Sequence, residues 1–407
     1  MKSLKKVTKL SKDEKYILTC SYGPDSMALF NYLLVNNFNF VVAHVNYHIL
    51  EQADDDENGI RKFAKLYNIP VYVLDTNMPE GVNEEMWARE VRYNYFVALA
   101  KQLGIKNVLV AHNKDDNIET YLLQKQRGGI YLTYGLKKLI QREGINIIRP
   151  LLSLKKQELE DYCKDNKIPY SIDPSNADTK FKRNEIRKKL ATISDCEKES
   201  ILEEIKEKNA QNLTILKKFK SLGLPNFVDT TKKLFKSVNK NDFQLILIYI
   251  LRKKGIYTSF SLGRCQNLLD LINERKANHV EKINGNYLLV LTYGIIKVIN
   301  EPQNYCYVFK ENCFENQVFK LNKNSKDFQK IEKEFPLTIK PAIDGISYKK
   351  NNQTLKVNRE YISWKMPLYL RKVWPGIFDK DGKLIFVPHY QTKIKKGGLL
   401  NFREEDL

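Results

Sequence analysis

Between an apolar run, Lys15–Cys20, and a helically patterned one, Met27–Leu34, lies the turn Ser21-Tyr22-Gly23-Pro24-Asp25-Ser26. A short Ser/Gly turn that opens a helix presents backbone N–H groups and the positive end of the helix dipole, a natural cradle for phosphate. Ser21 and Ser26 add hydroxyl donors, and Gly23 lets the backbone approach a ligand closely. Asp25 is out of place in a pure phosphate cradle, because its charge repels the ligand. A carboxylate there suits a site that holds Mg²⁺ or handles a proton during a reaction. The same residues would also make an ordinary strand–helix turn with a Ser/Asp cap.

A second group follows the apolar run Asn107–His112. Asp115, Asp116 and Glu119 come directly after His112, so they are expected at the same sheet edge as Asp25. Asp115 and Glu119 are four residues apart and share a helix face. Such carboxylates could bind Mg²⁺ (Asp25 with Asp115), hold a cationic amino acid, or take a proton from its amine. An acidic helix start has the same composition. Basic residues come in two pairs. Arg89 and Arg92 lie three apart near Glu85 and could contact RNA or phosphate, or form a surface ion-pair face. Arg183 and Arg187 lie four apart, with Asn184 between them and Lys180, Lys182, Lys188 and Lys189 around them. A guanidinium there could stabilise charge developing on an α-phosphate, though a solvated basic helix reads the same way. His44 ends its own apolar run and could line a nucleotide or base pocket, or be a satisfied core histidine.

These residues need a scaffold that brings strand ends together. Short apolar runs at Lys15–Cys20, Phe38–Tyr47, Pro70–Asp75, Asn107–His112 and Asn146–Leu152 alternate with helical patterns at Glu57–Tyr67, Asn83–Gly104, Asp116–Gln126 and Leu154–Asn166. That alternation predicts an α/β fold, a doubly wound parallel sheet covered on both faces, whose ligands bind at the carboxyl ends of the strands. The expected domains are residues 1–194, a helical middle domain over 195–334, and a small α+β or β-rich C-terminal domain over 335–407. Amphipathic helices are expected at Asp195–Leu224, Asn241–Gly255 and Leu262–Lys276, and Asn284-Gly285 predicts a hairpin. The C-terminal part interleaves Trp364, Tyr369 and Trp374 with Lys365, Arg371 and Lys372, which suits RNA contacts or core packing equally.

The turn is not a Walker A loop, since G-x-x-x-x-G-K-[ST] is absent. It resembles the SGGxDS loop of the N-type ATP pyrophosphatases, or PP-loop enzymes. Five motifs in order, Ala43–Leu50, Glu84–Phe96, Val110–Thr120, Ile147–Leu152 and Asp173–Leu190, make the first 190 residues similar to the tRNA(Ile)-lysidine synthetase family. The resemblance continues more weakly into Leu355–His389. Tyr22 departs from the pattern, standing where the family has the first Gly of its pair. A non-glycine residue at positive φ is costly, so the local turn is expected to differ. Leu50 also departs, where the family commonly has Arg.

The resemblance implies an enzyme that uses Mg²⁺ and ATP. In that reaction the wobble cytidine of tRNA(Ile) with a CAU anticodon attacks the α-phosphorus, pyrophosphate leaves, and free lysine displaces AMP from C2. It implies Ser21, Tyr22, Gly23, Pro24, Asp25, Ser26 and His44 around the nucleotide. Asp25, Asp115, Arg183 and Arg187 would be catalytic, Asp115 as the base. Asp115, Glu119, Arg89, Arg92 and Asn184 would bind substrate. A homodimer is compatible with this. The alternatives are a tRNA thiolase of the same class, which needs a persulfide cysteine or a cysteine-held cluster, and a non-catalytic RNA-binding protein.

Composition is consistent with these readings without choosing among them. The 407 residues carry 68 basic against 48 acidic side chains, a formal charge of +20. That favours a polyanionic partner, but the Lys-, Asn- and Ile-rich usage of an AT-rich genome yields the same excess. Six cysteines are scattered with no CxxC pair, which argues against a zinc knuckle or thiol redox motif. The first residues lack an apolar leader segment, and no run reaches membrane-spanning length, so a reducing cytosol is expected.

Overall fold

A computed structural model describes the chain except for residues 1–3, 6, 50, 173–181, 222–237, 259, 274–277, 293–294, 312, 344, 351–352, 391–397 and 403–407. The sequence readings at Leu50, at Lys180, and at 222–224 and 274–276 lie outside the described residues, as do the side chains of Lys182 and Asn184. The chain divides into two compact units, Met1–Leu213 and Thr214–Leu407.

The first unit is a six-stranded sheet. In chain order its strands and helices are β1 (Lys15–Thr19), α1 (Pro24–Val35), β2 (Asn39–Asn46), α2 (Ala53–Leu66), β3 (Val71–Asp75), α3 (Glu84–Leu103), β4 (Asn107–Leu109), α4 (Lys114–Arg127), β5 (Leu139–Arg142), β6 (Ile145–Ile148) and α5 (Lys156–Asp165). The strand order is β3-β2-β1-β4-β6-β5. All neighbours run parallel except β5, which pairs antiparallel with β6. The doubly wound sheet read from the sequence is therefore present, with one antiparallel edge strand added.

Side chains of β1 and β2 alternate between two cores, which is why those strands read as continuous apolar runs. Tyr16, Leu18, Phe40 and Val42 pack with α1, α2 and α5, whereas Ile17, Val41 and Ala43 pack with α3. α3 begins and ends as its sequence dictates: Asn83 Oδ1 accepts from the Met86 N–H, and Gly104 adopts the left-handed conformation at φ 66°.

The expected fifth strand over Asn146–Leu152 ends at Ile148. Pro150 has no N–H to continue the ladder, and the Arg149 N–H turns to Lys138 O at 2.8 Å. Its partner β5 is a strand the sequence reading does not contain. The two are joined by Glu143-Gly144, both at positive φ (49° and 88°), the geometry of a tight hairpin.

α6 (Lys182–Thr192) follows in the first unit, and α7 (Asp195–Ser221) runs across the unit boundary. The apolar residues of α6, Ile186 and Leu190, pack on Ile118 of α4. In the second unit α8 (Lys240–Lys253) and α9 (Leu262–Asn273) pack with an antiparallel sheet of β7 (His279–Asn284), β8 (Tyr287–Thr292) and β9 (Ile295–Asn300). Beyond it, a four-stranded sheet of Tyr307–Phe309, Leu337–Pro341, Pro375–Phe378 and Leu384–Phe386 surrounds an aromatic core. Among the described residues no helix is long and apolar enough to cross a membrane.

Candidate active site

β1 lies between β2 and β4, and the strand order reverses direction at the β1–β4 pair. In an open α/β sheet the crevice for ligands opens at such a point, beyond the carboxyl ends of the strands. The turn Cys20–Gly23 leaves β1 there, and Val110–Asn113 leaves β4 beside it.

The turn keeps its shape by internal hydrogen bonds. Ser26 is buried, and its hydroxyl accepts from the Ser21 N–H at 3.3 Å and donates to Gly23 O at 3.0 Å. Ser26 thus braces the loop, while Ser21 stays exposed. Gly23 caps α1 with φ −73° and ψ 164°, values open to any residue, and Pro24 opens the helix. A Cβ on Gly23 would meet only Ser21 Oγ, at 3.7 Å. Neither backbone conformation nor internal packing requires glycine here.

Tyr22 corrects an expectation. The turn does not avoid positive φ: Tyr22 sits in the left-handed region at φ 61°. Its carbonyl accepts from the Ser171 N–H at 3.0 Å, and its ring packs against the α1-side core. Those contacts hold a conformation that an isolated tyrosine would leave.

Asp25, in the first turn of α1, meets the second strand end through Asn113. That residue caps α4 in a reciprocal box: its Oδ1 accepts from the Asp116 N–H at 3.1 Å and Asp116 Oδ2 accepts from its own N–H at 2.9 Å. The Asn113 side-chain amide donates across the crevice to Asp25 Oδ2 at 3.1 Å. Asp25 Oδ1 is buried with no hydrogen-bond partner. Burial first, and then the charge of Asp116, push the Asp25 carboxyl up to about 7. Asp116 is raised as well, chiefly by burial. Asp25, a desolvated carboxylate with an orphaned oxygen at the strand ends, is poorly stabilised by the protein alone, and a divalent cation fits it. Phosphate oxygens and water would complete its shell.

Asp115, next in sequence, is held differently. Its Oδ1 pairs with Lys198 Nζ at 2.7 Å and its Oδ2 accepts from the Lys156 N–H at 3.0 Å. Glu119, only 2% exposed, lies between the two arginines of α6. It pairs with Arg183 Nε through one oxygen and with Arg187 Nε through the other, at 2.7 Å. Arg183 also reaches Glu85 at 2.6 Å. The two basic residues thus stand at the same edge as the acidic group, anchored by Glu119.

On α3, Arg89 and Arg92 are exposed, with Arg89 stacked 5.1 Å from the Tyr93 ring. Both influence His112, as do Arg149 and Arg183. Burial and these four guanidinium groups hold His112 down to about 3. Its Nδ1 accepts from Arg149 Nε at 2.9 Å, so the ring is neutral with its proton on Nε2. His44 is also neutral, lowered by burial; its Nδ1 donates to Cys20 O at 2.8 Å and its buried Nε2 has no partner. The ends of β1 and β4 therefore carry two buried carboxyls, Asp25 and Asp116, and guanidinium groups near enough to act on His112.

Two of these roles were not separable in the sequence. Asp115 and Asp116 are adjacent carboxylates, and only the capping box, an Asn three residues before an Asp, favours the second. Arg149 stands inside the apolar run Ile147–Leu152, where a buried cation demands partners; it is 2% exposed and bonded to His112 and to Lys137 O at 2.8 Å.

Residues 1–193 match the model of the PP-loop domain. This places the first unit among the PP-loop ATP-binding proteins. The chain is 31% identical to the tRNA(Ile)-lysidine synthase of Mycoplasma mycoides subsp. mycoides SC, over 95% of this chain and 98% of that protein. It is 27% identical to the tRNA(Ile)-lysidine synthase of Mesoplasma florum, with the same coverage of each. The chain belongs to the tRNA(Ile)-lysidine synthase family, and is an enzyme of that family of ATP-dependent ligases. Among solved structures, the U34-tRNA thiolase NcsA from Methanococcus maripaludis is similar with a TM-score of 0.42 and 20% identity, over 49% of this chain and 73% of that one. A likeness of that degree carries no argument about activity.

Proposed function

We propose that this chain joins free L-lysine to C2 of the wobble cytidine in tRNA(Ile) bearing a CAU anticodon, converting ATP to AMP and pyrophosphate and yielding lysidine. The reading rests on the family and on one observation above all: Asp25, with its buried unpartnered oxygen, and Asp116, with its raised carboxyl, are joined through Asn113 at the ends of β1 and β4.

The cytidine must first leave its stack, which costs a few kcal/mol and less in a loop than in a duplex. Its C2 carbonyl oxygen attacks the α-phosphorus, and the bond to the β-phosphate oxygen breaks, releasing pyrophosphate. The lysine ε-amine then attacks C2, and the C2–O bond breaks with AMP as leaving group. Backbone N–H groups of Tyr22, Gly23 and Asp25, at the start of α1, would face the phosphates. Asp25 would hold a divalent cation, which would supply charge neutralisation on the phosphates. Arg183, Arg187, Arg89 and Arg92 supply positive charge opposite.

Lysine reaches neutral pH as an ammonium and must lose a proton before it attacks. Asp116 is better suited than Asp115 to accept it, because burial raises its proton affinity while Asp115 is committed to Lys198 and the Lys156 N–H. Asn184 remains a candidate for substrate binding on the sequence reading alone. A thiolase reading is not favoured. Burial pushes the Cys20 thiol up to about 11 and the Cys163 thiol up to about 12, so neither cysteine near the loop is a ready nucleophile.

The test is incorporation of labelled lysine into the CAU-anticodon tRNA with Mg-ATP, beside the same tRNA carrying U at the wobble position. Label in the first alone supports the reading; label in both, or in neither, refutes it.

A further inference from the structure

Tyr22 and Gly59 are two locally unfavourable choices that meet. Tyrosine in the left-handed region is an outlier for a bulky residue, and glycine inside a helix weakens it. Gly59 lies in the interior of α2. A Cβ built on it would stand 2.3 Å from Tyr22 Cζ, 2.5 Å from Cε1 and 2.6 Å from Oη. The phenol ring therefore lies directly on the helix at Gly59, and a larger residue there would have to displace it.

We propose that Tyr22 is a positioning residue, a latch whose ring seats in the notch at Gly59 and holds the phosphate loop in its binding shape. Two further contacts run the same way. The Tyr22 carbonyl accepts from the Ser171 N–H at 3.0 Å, and the Ser171 hydroxyl accepts from Gln52 Nε2, at the start of α2, at 3.3 Å. Loop and helix are thus tied at the ring and again through Ser171. The backbone N–H groups that would face phosphate, at Tyr22 and Gly23, belong to the latched residue and its neighbour. A glycine at position 22 reaches the same φ without strain but has no ring to seat. The notch then has no purpose, and alanine at 59 becomes the better helix residue.

The inference rests on the ATP-binding reading for its functional half, and a mutant cycle separates the two. Gly59→Ala, Tyr22→Gly and the Tyr22→Gly/Gly59→Ala double variant are compared for melting temperature and for the Kd of Mg-ATP by calorimetric titration. Gly59→Ala alone is expected to lower the melting temperature and weaken Mg-ATP at least tenfold. In the Tyr22→Gly background the same change should raise the melting temperature and alter the Kd less than twofold.

Equal loss from Gly59→Ala in both backgrounds overturns the latch. A reversal in melting temperature with no change in Kd overturns the positioning role and leaves a purely structural contact. If the parent itself fails to bind Mg-ATP, the nucleotide reading falls, while the melting temperatures still decide whether the latch exists.

Discussion

At the carboxyl end of β1, Asp25 keeps a buried oxygen without a partner, and the charge of Asp116 raises its carboxyl further. In the second unit the aromatic-basic segment is arranged in the opposite way. Trp364, Tyr369 and Trp374 are all buried in one core, and the Trp374 indole donates to Pro388 O at 2.7 Å. Arg371 Nε donates to Met366 O at 3.0 Å, while Lys365 and Lys372 remain exposed. Both regions drew notice in the sequence because chemistry-bearing residues crowd together. In the first, polar groups are left with capacity that the protein does not use. In the second, the aromatic rings are taken up by packing, and what remains for a partner is the lysines. Composition marks both regions equally; a buried carboxylate oxygen without a partner marks the first, whereas the unpartnered atoms in the second unit, such as Tyr348 Oη, are neutral.

The largest expected effect tests the first region. Asp25→Ala should lower lysine incorporation by about a thousandfold, the order expected when a group stabilising phosphate charge is lost. Its tRNA affinity should stay within about twofold, since the loop faces phosphates of the nucleotide. Comparable loss of both in a folded variant would break the division between the regions.

The adjacent acids give a sharper contrast. Asp116→Asn should cost more than about a hundredfold in turnover if it takes the proton. Asp115→Asn, which removes an ion pair with Lys198, should cost less than about tenfold. Steady-state rates under saturating lysine measure both, and the reverse ranking would return the base to Asp115.

A dependence on pH follows from the raised carboxyls. The folded Asp25 carboxyl titrates at about 7, above the ~3.9 of an unfolded chain. Between those values the folded state binds more protons, so stability falls as pH rises through 7. Asp116, also raised, acts in the same direction. Asp25→Asn should therefore melt higher than the parent at pH 8 and show little gain at pH 4. Added Mg²⁺ should stabilise the parent at pH 8 and leave Asp25→Asn nearly unmoved. A gain for Asp25→Asn that is larger at pH 4 would contradict the burial argument.

The second region yields a loss of stability and a smaller loss of affinity. Trp374→Ala should destabilise the protein by about 3–5 kcal/mol, as a buried aromatic does. Lys365→Ala with Lys372→Ala should leave the melting temperature unchanged, weaken tRNA a few-fold, and flatten the salt dependence by about one to two charges. An unchanged salt slope would remove this face from the tRNA contact.

Much of the scaffold was legible because it depends on local rules. The apolar runs of β1 and β2, the Asn83 cap and Gly104 stop of α3, and the Asn284-Gly285 hairpin are all readable from residue type and spacing. β5 was not, because Leu139–Arg142 is short and half polar and its turn uses Glu143 where Asn or Asp is the usual signal. The loop and the acidic group could be placed at one sheet edge from their positions after strands. Which of Asp115 and Asp116 faces Asp25 depends on helix phase and on tertiary partners such as Lys198, which lies 83 residues away in the chain. The seat of Tyr22 on Gly59 is of the same kind, a contact between separate elements that no local pattern announces.

The central claim is that the β1–β4 crevice splits ATP between its α- and β-phosphates at the demand of the tRNA, before lysine enters. Exchange of labelled pyrophosphate into ATP, measured without lysine, tests it directly. The account predicts exchange with the CAU-anticodon tRNA, none with the wobble-U tRNA, and none in Asp25→Ala. Exchange that proceeds without tRNA, or that survives in Asp25→Ala, would contradict it.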